Sequence, residues 1–322
     1  MSKVNPLTLD DIIDVAEENN PKLKENLLKI SNKEKAVVLA CIAPYVGKKV
    51  SPTRVLTAEL GISEEFAIES AIEKIKEQTS IDKLILLLNS PGGFVSSSYK
   101  IARALRSNYK EIKVFVPHIA ASGGTLMAIT GNQIVMGMMS QLSPIDPHGV
   151  RGNQEVAAKN IIDGFATITE FFKNISEDDA PYTYKVLAQK YNAETLDEAV
   201  ASITLMQDYA GEILMGSGYT EDKAKEIANE LTLGYKTHGE VINFDKAKKV
   251  GLNVISNSCC TEDWRIMRKW LGQYLLQSAD KHIIRFVISQ DLIDVKQNTK
   301  MEKTETGTKE IINTETLGKQ NG

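Results

Sequence analysis

Along the chain, short runs that are apolar throughout alternate with segments whose apolar residues recur at helical spacing. Ala36 to Ala43, Leu84 to Leu88, Val114 to Val116 and Ile134 to Met136 read as strands. Between the first two, Phe66, Ile68, Ile72 and Ile75 fall on one helical face, and Ser63 is placed to cap that helix. Val95 to Leu105 predicts a second helix with Ile101, Ala102 and Leu105 inward, and Ser122 to Thr130 a third made of small residues. Strands without a polar face, separated by single helices, predict an α/β fold in which a mainly parallel sheet is covered on both sides. No internal repeat is visible.

Further helices are expected at Val156 to Phe172, Leu196 to Met215 and EDKAKEIANEL, followed by FDKAKKVGLNVI. WRIMRKWLGQYLLQ and HIIRFVIS read as a helix and a strand added to the main domain. The pattern divides the chain into a polar extension over 1–32, with one helix around Leu9 to Glu17, a main domain over 33–257, an appendage over 258–296 and a tail over 297–322. That tail, rich in Thr, Lys, Glu and Gly with almost no apolar face, is expected to be disordered.

Composition narrows the chemistry. The 322 residues carry a formal net charge of -4, so no cationic excess marks a nucleic-acid binder. Cys41, Cys259 and Cys260 lack metal or redox spacing, and an odd number closes no disulfide framework. The first residues lack the basic and apolar order of a signal peptide, and Ala36 to Val46 is too short to cross a bilayer and is interrupted by Pro44. A cytoplasmic protein without a membrane span is expected. With no H-E-x-x-H and no Cys/His cluster in the sequence, neither a metal site nor a cofactor is expected.

The chemistry-bearing stretch begins at LILLLNSPGGFVSSSYK, where a strand runs into Gly92 and Gly93 and then a helix. Unblocked amides at a helix start make an anion site, although Gly-Gly also serves a tight turn alone. A P-loop would need Gly-Lys-Ser/Thr, and Phe94, Val95 and Ser96 stand there instead. One βα unit later, VFVPHIAASGGTLMAIT places Ser122 at a helix start among small residues, the geometry of a nucleophile. Ser122 is also a plausible N-cap, and Ala120 breaks the G-x-S-x-G elbow. Together, the Gly92-Gly93 turn and the Gly123 amide would supply the two N–H donors that an acyl-transfer oxyanion needs.

NSPGG, AASGGTLMA and SQLSPIDPH, in this order, resemble the Clp/crotonase superfamily, and most closely the serine dehydrogenase proteinase (SDH-type) family of serine peptidases, related to signal peptide peptidase A. The resemblance extends from about Lys35 to Ile255 and includes THGEVINFDKAKKVGL. It implies a Clp/crotonase-like spiral of ββα units that assembles into a homo-oligomer. It also implies Ser122 as nucleophile, Gly92 or Gly93 and Gly123 as oxyanion donors, and strand edges that hold an extended peptide.

The general base stays open in the sequence. Where caseinolytic Clp peptidases carry a His, SQLSPIDPHGV has Ile145 and Asp146, with His148 slightly later. Signal peptide peptidase A uses a downstream Lys, and Lys159, Lys173 and Lys185 are available. His238, in YKTHGEV, and Lys159 rank first, while His118 reads as structural or substrate-facing and His282 as exposed. The leading expectation is an ATP-independent serine peptidase acting on peptides or unfolded protein. A crotonase-type acyl-CoA enzyme and a catalytically silent peptide-binding assembly are the alternatives.

Overall fold

A computed structural model describes residues 13–14, 21–43, 48–51, 54–56, 58–151, 154–176, 178–277, 282–289 and 291–293. Its centre is a seven-stranded sheet made of β1 (Ile13–Asp14), β2 (Val37–Ile42), β3 (Lys83–Asn89), β4 (Glu111–Val116), β5 (Gln133–Met136), β6 (Val254–Ser256) and β7 (His282–Val287). The spatial order is β1-β7-β2-β3-β4-β5-β6, and every neighbouring pair is parallel except β7 with β2.

The two-residue period of a strand explains why these runs carry no polar face. Val37, Leu39, Cys41, Leu84, Leu86, Leu88, Val114 and Ile134 enter one core, while Val38, Ala40, Ile42, Ile85, Leu87, Phe115 and Val135 enter the other. The first core is closed by helices α2 (Ile62–Gln78), α3 (Val95–Asn108), α4 (Gly123–Ala128), α7 (Ala193–Gly216) and α8 (Glu221–Leu233), which follow α1 (Pro21–Glu34) and lie either side of α5 (Ala158–Phe172) and α6 (Tyr182–Ala188) in the chain. The second is closed by Leu27 and Ile30 of α1 and by Trp264, Met267, Trp270 and Leu271 of α10 (Thr261–Gln277), the helix that follows α9 (Phe244–Val250).

Beyond the carboxyl ends of the strands, the chain builds a smaller second layer. Ile119–Ala120 pairs in parallel with Gln141–Leu142, Ser90 bridges Ala120, Ile242 bridges Leu142, and Leu60 bridges Gly93. Each turn of the chain thus adds a strand to the main sheet and a short extended piece to this layer. The result is a mixed α/β fold with a mainly parallel sheet and repeated ββα units, as expected.

Local expectations differ from the structure at several points. α2 starts at Ile62, with Gly61 at the cap position and its N–H donating to Glu64 Oε2 at 2.7 Å, so Ser63 lies in the first turn and is not the cap. Phe66 is 58% exposed, and Ala67 and Ala71 take the inward positions beside Ile68, Ile72 and Ile75. The small-residue helix is shorter than expected, Gly123–Ala128, because the chain turns through Thr130 and Gly131. Val156 and Ala157 belong to a hairpin, His148–Arg151 with Gln154–Ala157, before α5 begins. Ile13–Asp14 is a short strand paired with β7, whereas the rest of the helix expected over Leu9 to Glu17, and the tail over 297–322, lie outside the described residues.

Candidate active site

The second layer fixes the loops that follow β3 and β4 against each other. Ser90 N–H donates to Ile119 O at 2.9 Å and Ala121 N–H donates to Ser90 O at 3.0 Å. Gly92 adopts φ +108°, and a Cβ there would lie 2.7 Å from Ala121 O and 2.9 Å from Ser122 Cβ. At Gly93 a Cβ would meet Leu60 N at 2.2 Å, because Leu60 is laced to this turn through Gly92 O and its own carbonyl. Both glycines are therefore required by close approach, and Gly92 also by its positive φ.

Ser122 has φ +49° and ψ -117°, a rare conformation for a residue with a side chain. Its hydroxyl makes no capping hydrogen bond, so its place at the start of α4 is not explained by capping. The backbone is held instead: Ser122 N–H donates to Ser143 Oγ at 2.7 Å, and Ser143 N–H donates to Thr125 Oγ1 at 3.0 Å. Thr125 Oγ1 in turn lies 2.7 Å from Ala120 O. This network over-determines a strained residue, a pattern that functional sites share.

The Gly93 and Gly123 amides donate to no acceptor among the described residues. A Cβ on Gly123 would stand 3.3 Å from Gly93 N and one on Gly92 3.0 Å from Gly123 N, so the two turns approach closely beside Ser122. Unpaired N–H groups on rigid turns can bind an oxyanion.

A cleft of about 610 Å³ opens over these groups, lined by Gly92, Gly93, Ser122, Asp146, His148 and His238 among others. Asp146 and His238 are 92 positions apart and are brought together by backbone pairing. Leu142 and Ile242 exchange hydrogen bonds at 2.9 Å, and Ile145 N–H donates to Leu231 O at 2.9 Å. The Asp146 side chain is only 5% exposed and its Oδ1 stands 2.8 Å from His238 Nδ1. A buried carboxylate in that position fixes the imidazole ring and favours the tautomer with its proton on Nδ1, leaving Nε2 as an acceptor. His148 lies against the same pair, with ring centroids 3.9 Å apart and Nε2 at 3.8 Å from Asp146 Oδ2.

The lysines are placed elsewhere. Lys159 sits in the first turn of α5 with its ammonium on Asp163, Lys173 pairs with Glu170 and Lys185 reaches the carbonyl of Asp178. None of them lines the cleft. The residue that sequence reasoning missed is Asp146, seen there only as an occupant of a position where a His was sought. Its enclosure between Ile145 and two prolines was the available signal.

The model of the ClpP-like SDH-type serine proteinases matches residues 23–291. The chain belongs to that family. Among its relatives are two uncharacterized proteins of Methanocaldococcus jannaschii, MJ0137, 31% identical over 196 residues, and MJ1495, 30% identical over 199 residues. These alignments cover 59% and 61% of this SDH-type chain and 59% of the length of each relative. A solved structure of the 1510-N membrane-bound stomatin-specific protease is similar over 63% of this chain and 79% of that one, with 15% identity and a TM-score of 0.40. The same protease in complex with a substrate peptide gives 17% identity and a TM-score of 0.38, over 61% of this chain and 70% of that one. No helix among the described residues is long and apolar enough to cross a membrane.

Proposed function

We propose that this SDH-type proteinase hydrolyses peptide bonds, with Ser122 as nucleophile, His238 as general base and Asp146 as the group that orients it. The observation that carries the reading is the single cleft holding strained Ser122 together with the imidazole bound to buried Asp146. Ser122 Oγ attacks the scissile carbonyl while His238 Nε2 takes its proton, and the new oxyanion sits between the Gly93 and Gly123 amides. Collapse breaks the C–N bond, and the imidazolium returns its proton to the leaving amine. Water, activated by the same Nε2, then releases the acyl group and regenerates Ser122. Gly92 contributes the turn that aims the Gly93 amide.

The substrate is an extended peptide or unfolded protein segment, added beside the short extended pieces of the second layer. Half-exposed apolar side chains on α5 to α7, including Phe165, Leu187 and Val200, support assembly into a homo-oligomer.

The test is hydrolysis of fluorescent casein by the full chain and three variants. His238→Gln should lose on the order of a hundredfold or more in kcat, the usual contribution of a general base, with little change in KM. Asp146→Asn should lose activity as well, and Lys159→Met should retain most of it. A Lys159→Met loss as deep as that expected for His238→Gln, with His238→Gln active, would assign the base to Lys159.

A further inference from the structure

The residues around His238 form more than a base and its orienting carboxylate. Asp146, His148 and His238 each offer a donor atom within 4.8 Å of the other two. Neither the separations in the sequence nor its motifs predict a metal site, because the cluster is assembled by the pairing of 142–145 with 231–242. His148 has no role in the proton transfer proposed above, yet its ring is packed on His238 and its Nε2 faces Asp146 Oδ2 at 3.8 Å. Two imidazoles and one carboxylate are a borderline donor set suited to Zn²⁺ and its first-row neighbours, and three protein ligands leave a coordination position for water.

We infer that Asp146, His148 and His238 form a reversible Zn²⁺ site whose occupation switches off the hydrolysis. The switching part rests on the function proposed above; the binding part does not. A cation ligated by His238 Nδ1 forces the ring proton onto Nε2, which then cannot accept the Ser122 proton. Ligation through Nε2 consumes the acceptor directly. Either way the carboxylate is diverted from the imidazole to the metal, and no net redox change or additional reactant is involved.

The experiment strips the full chain with EDTA and titrates it with ZnCl₂ by calorimetry, with Co²⁺ absorption as a second readout of donor geometry. One Zn²⁺ per chain is expected. His148→Ala and Asp146→Asn should each weaken binding at least about tenfold, the scale on which even outer partners of a metal site matter. Circular dichroism establishes that each variant is folded. Absence of binding, or equal binding by the His148→Ala and Asp146→Asn variants, overturns the site; loss of binding on replacing Cys259 and Cys260 by Ser assigns the cation to the cysteines instead and also overturns it. A fluorophosphonate probe then reads the switch. Ser122 labelling should fall as Zn²⁺ is added and return with EDTA, and labelling that is unchanged or increased by Zn²⁺ overturns the switch. If Ser122 takes no label even without metal, the peptidase reading has failed, and calorimetry still decides the metal site.

Discussion

At the residue scale, Ser122 stores a cost in its backbone, with φ +49°. A non-glycine residue in such a conformation costs about 1–3 kcal/mol, held here by the Ser143 and Thr125 hydroxyls. Ser122→Gly should therefore be more stable to urea than Ser122→Ala, by roughly 1 kcal/mol of unfolding free energy after the entropic cost of glycine, and both variants should be inactive. Gly93→Ala should act in the opposite sense, because its Cβ would overlap the backbone of Leu60 and push the turn from Ser122. Its activity should drop without full unfolding, measurable by casein hydrolysis beside a thermal melt. Ser122 and the three glycines stand out in the sequence because small residues recur where a strand runs into a helix start. Asp146 does not stand out, since its contact with His238 spans 92 positions of the chain.

At the element scale, the apolar runs of the sequence coincide with the strands, whereas the face of α2 differs from its spacing. Phe66 has the spacing of a core residue, yet Ala67 and Ala71 let α2 approach the sheet closely and turn Phe66 outward. The late helix and strand were visible as pattern, but their place in the fold was not. α10 closes the second core with Trp270, which is 2% exposed, and β7 pairs with β2. Trp270→Ala should cost about 3–5 kcal/mol in stability by denaturant titration. A second effect of α10 concerns His118, held below the ordinary imidazole range first by burial and then by Arg268 of α10. The unfolded chain binds a proton there that the folded chain resists, so this contribution to stability is complete above about pH 6.5 and is lost as pH falls below it towards the folded value. His118→Gln should flatten that acid limb in a series of urea midpoints measured against pH.

At the scale of the whole molecule, the two-sided sheet separates the thiols by depth. Cys41 lies in the strand layer, its pKa pushed up to about 12 by burial, while Cys259 is exposed. A thiol reagent should modify Cys259 quickly in the native protein and reach Cys41 only on unfolding. The parallel architecture was legible because strands covered on both faces lose their polar positions. The gathering of Ser122, Asp146 and His238 was not, because it depends on where the second layer places the ends of three loops. The central claim is that these loops make Ser122 a nucleophile, and the most direct measurement is peptide mapping by mass spectrometry after a fluorophosphonate probe is applied to the metal-free chain. The account predicts one modified residue, Ser122, with labelling abolished in Ser122→Ala and strongly slowed in His238→Gln. Labelling at another serine, or none in a folded and metal-free chain, would contradict it.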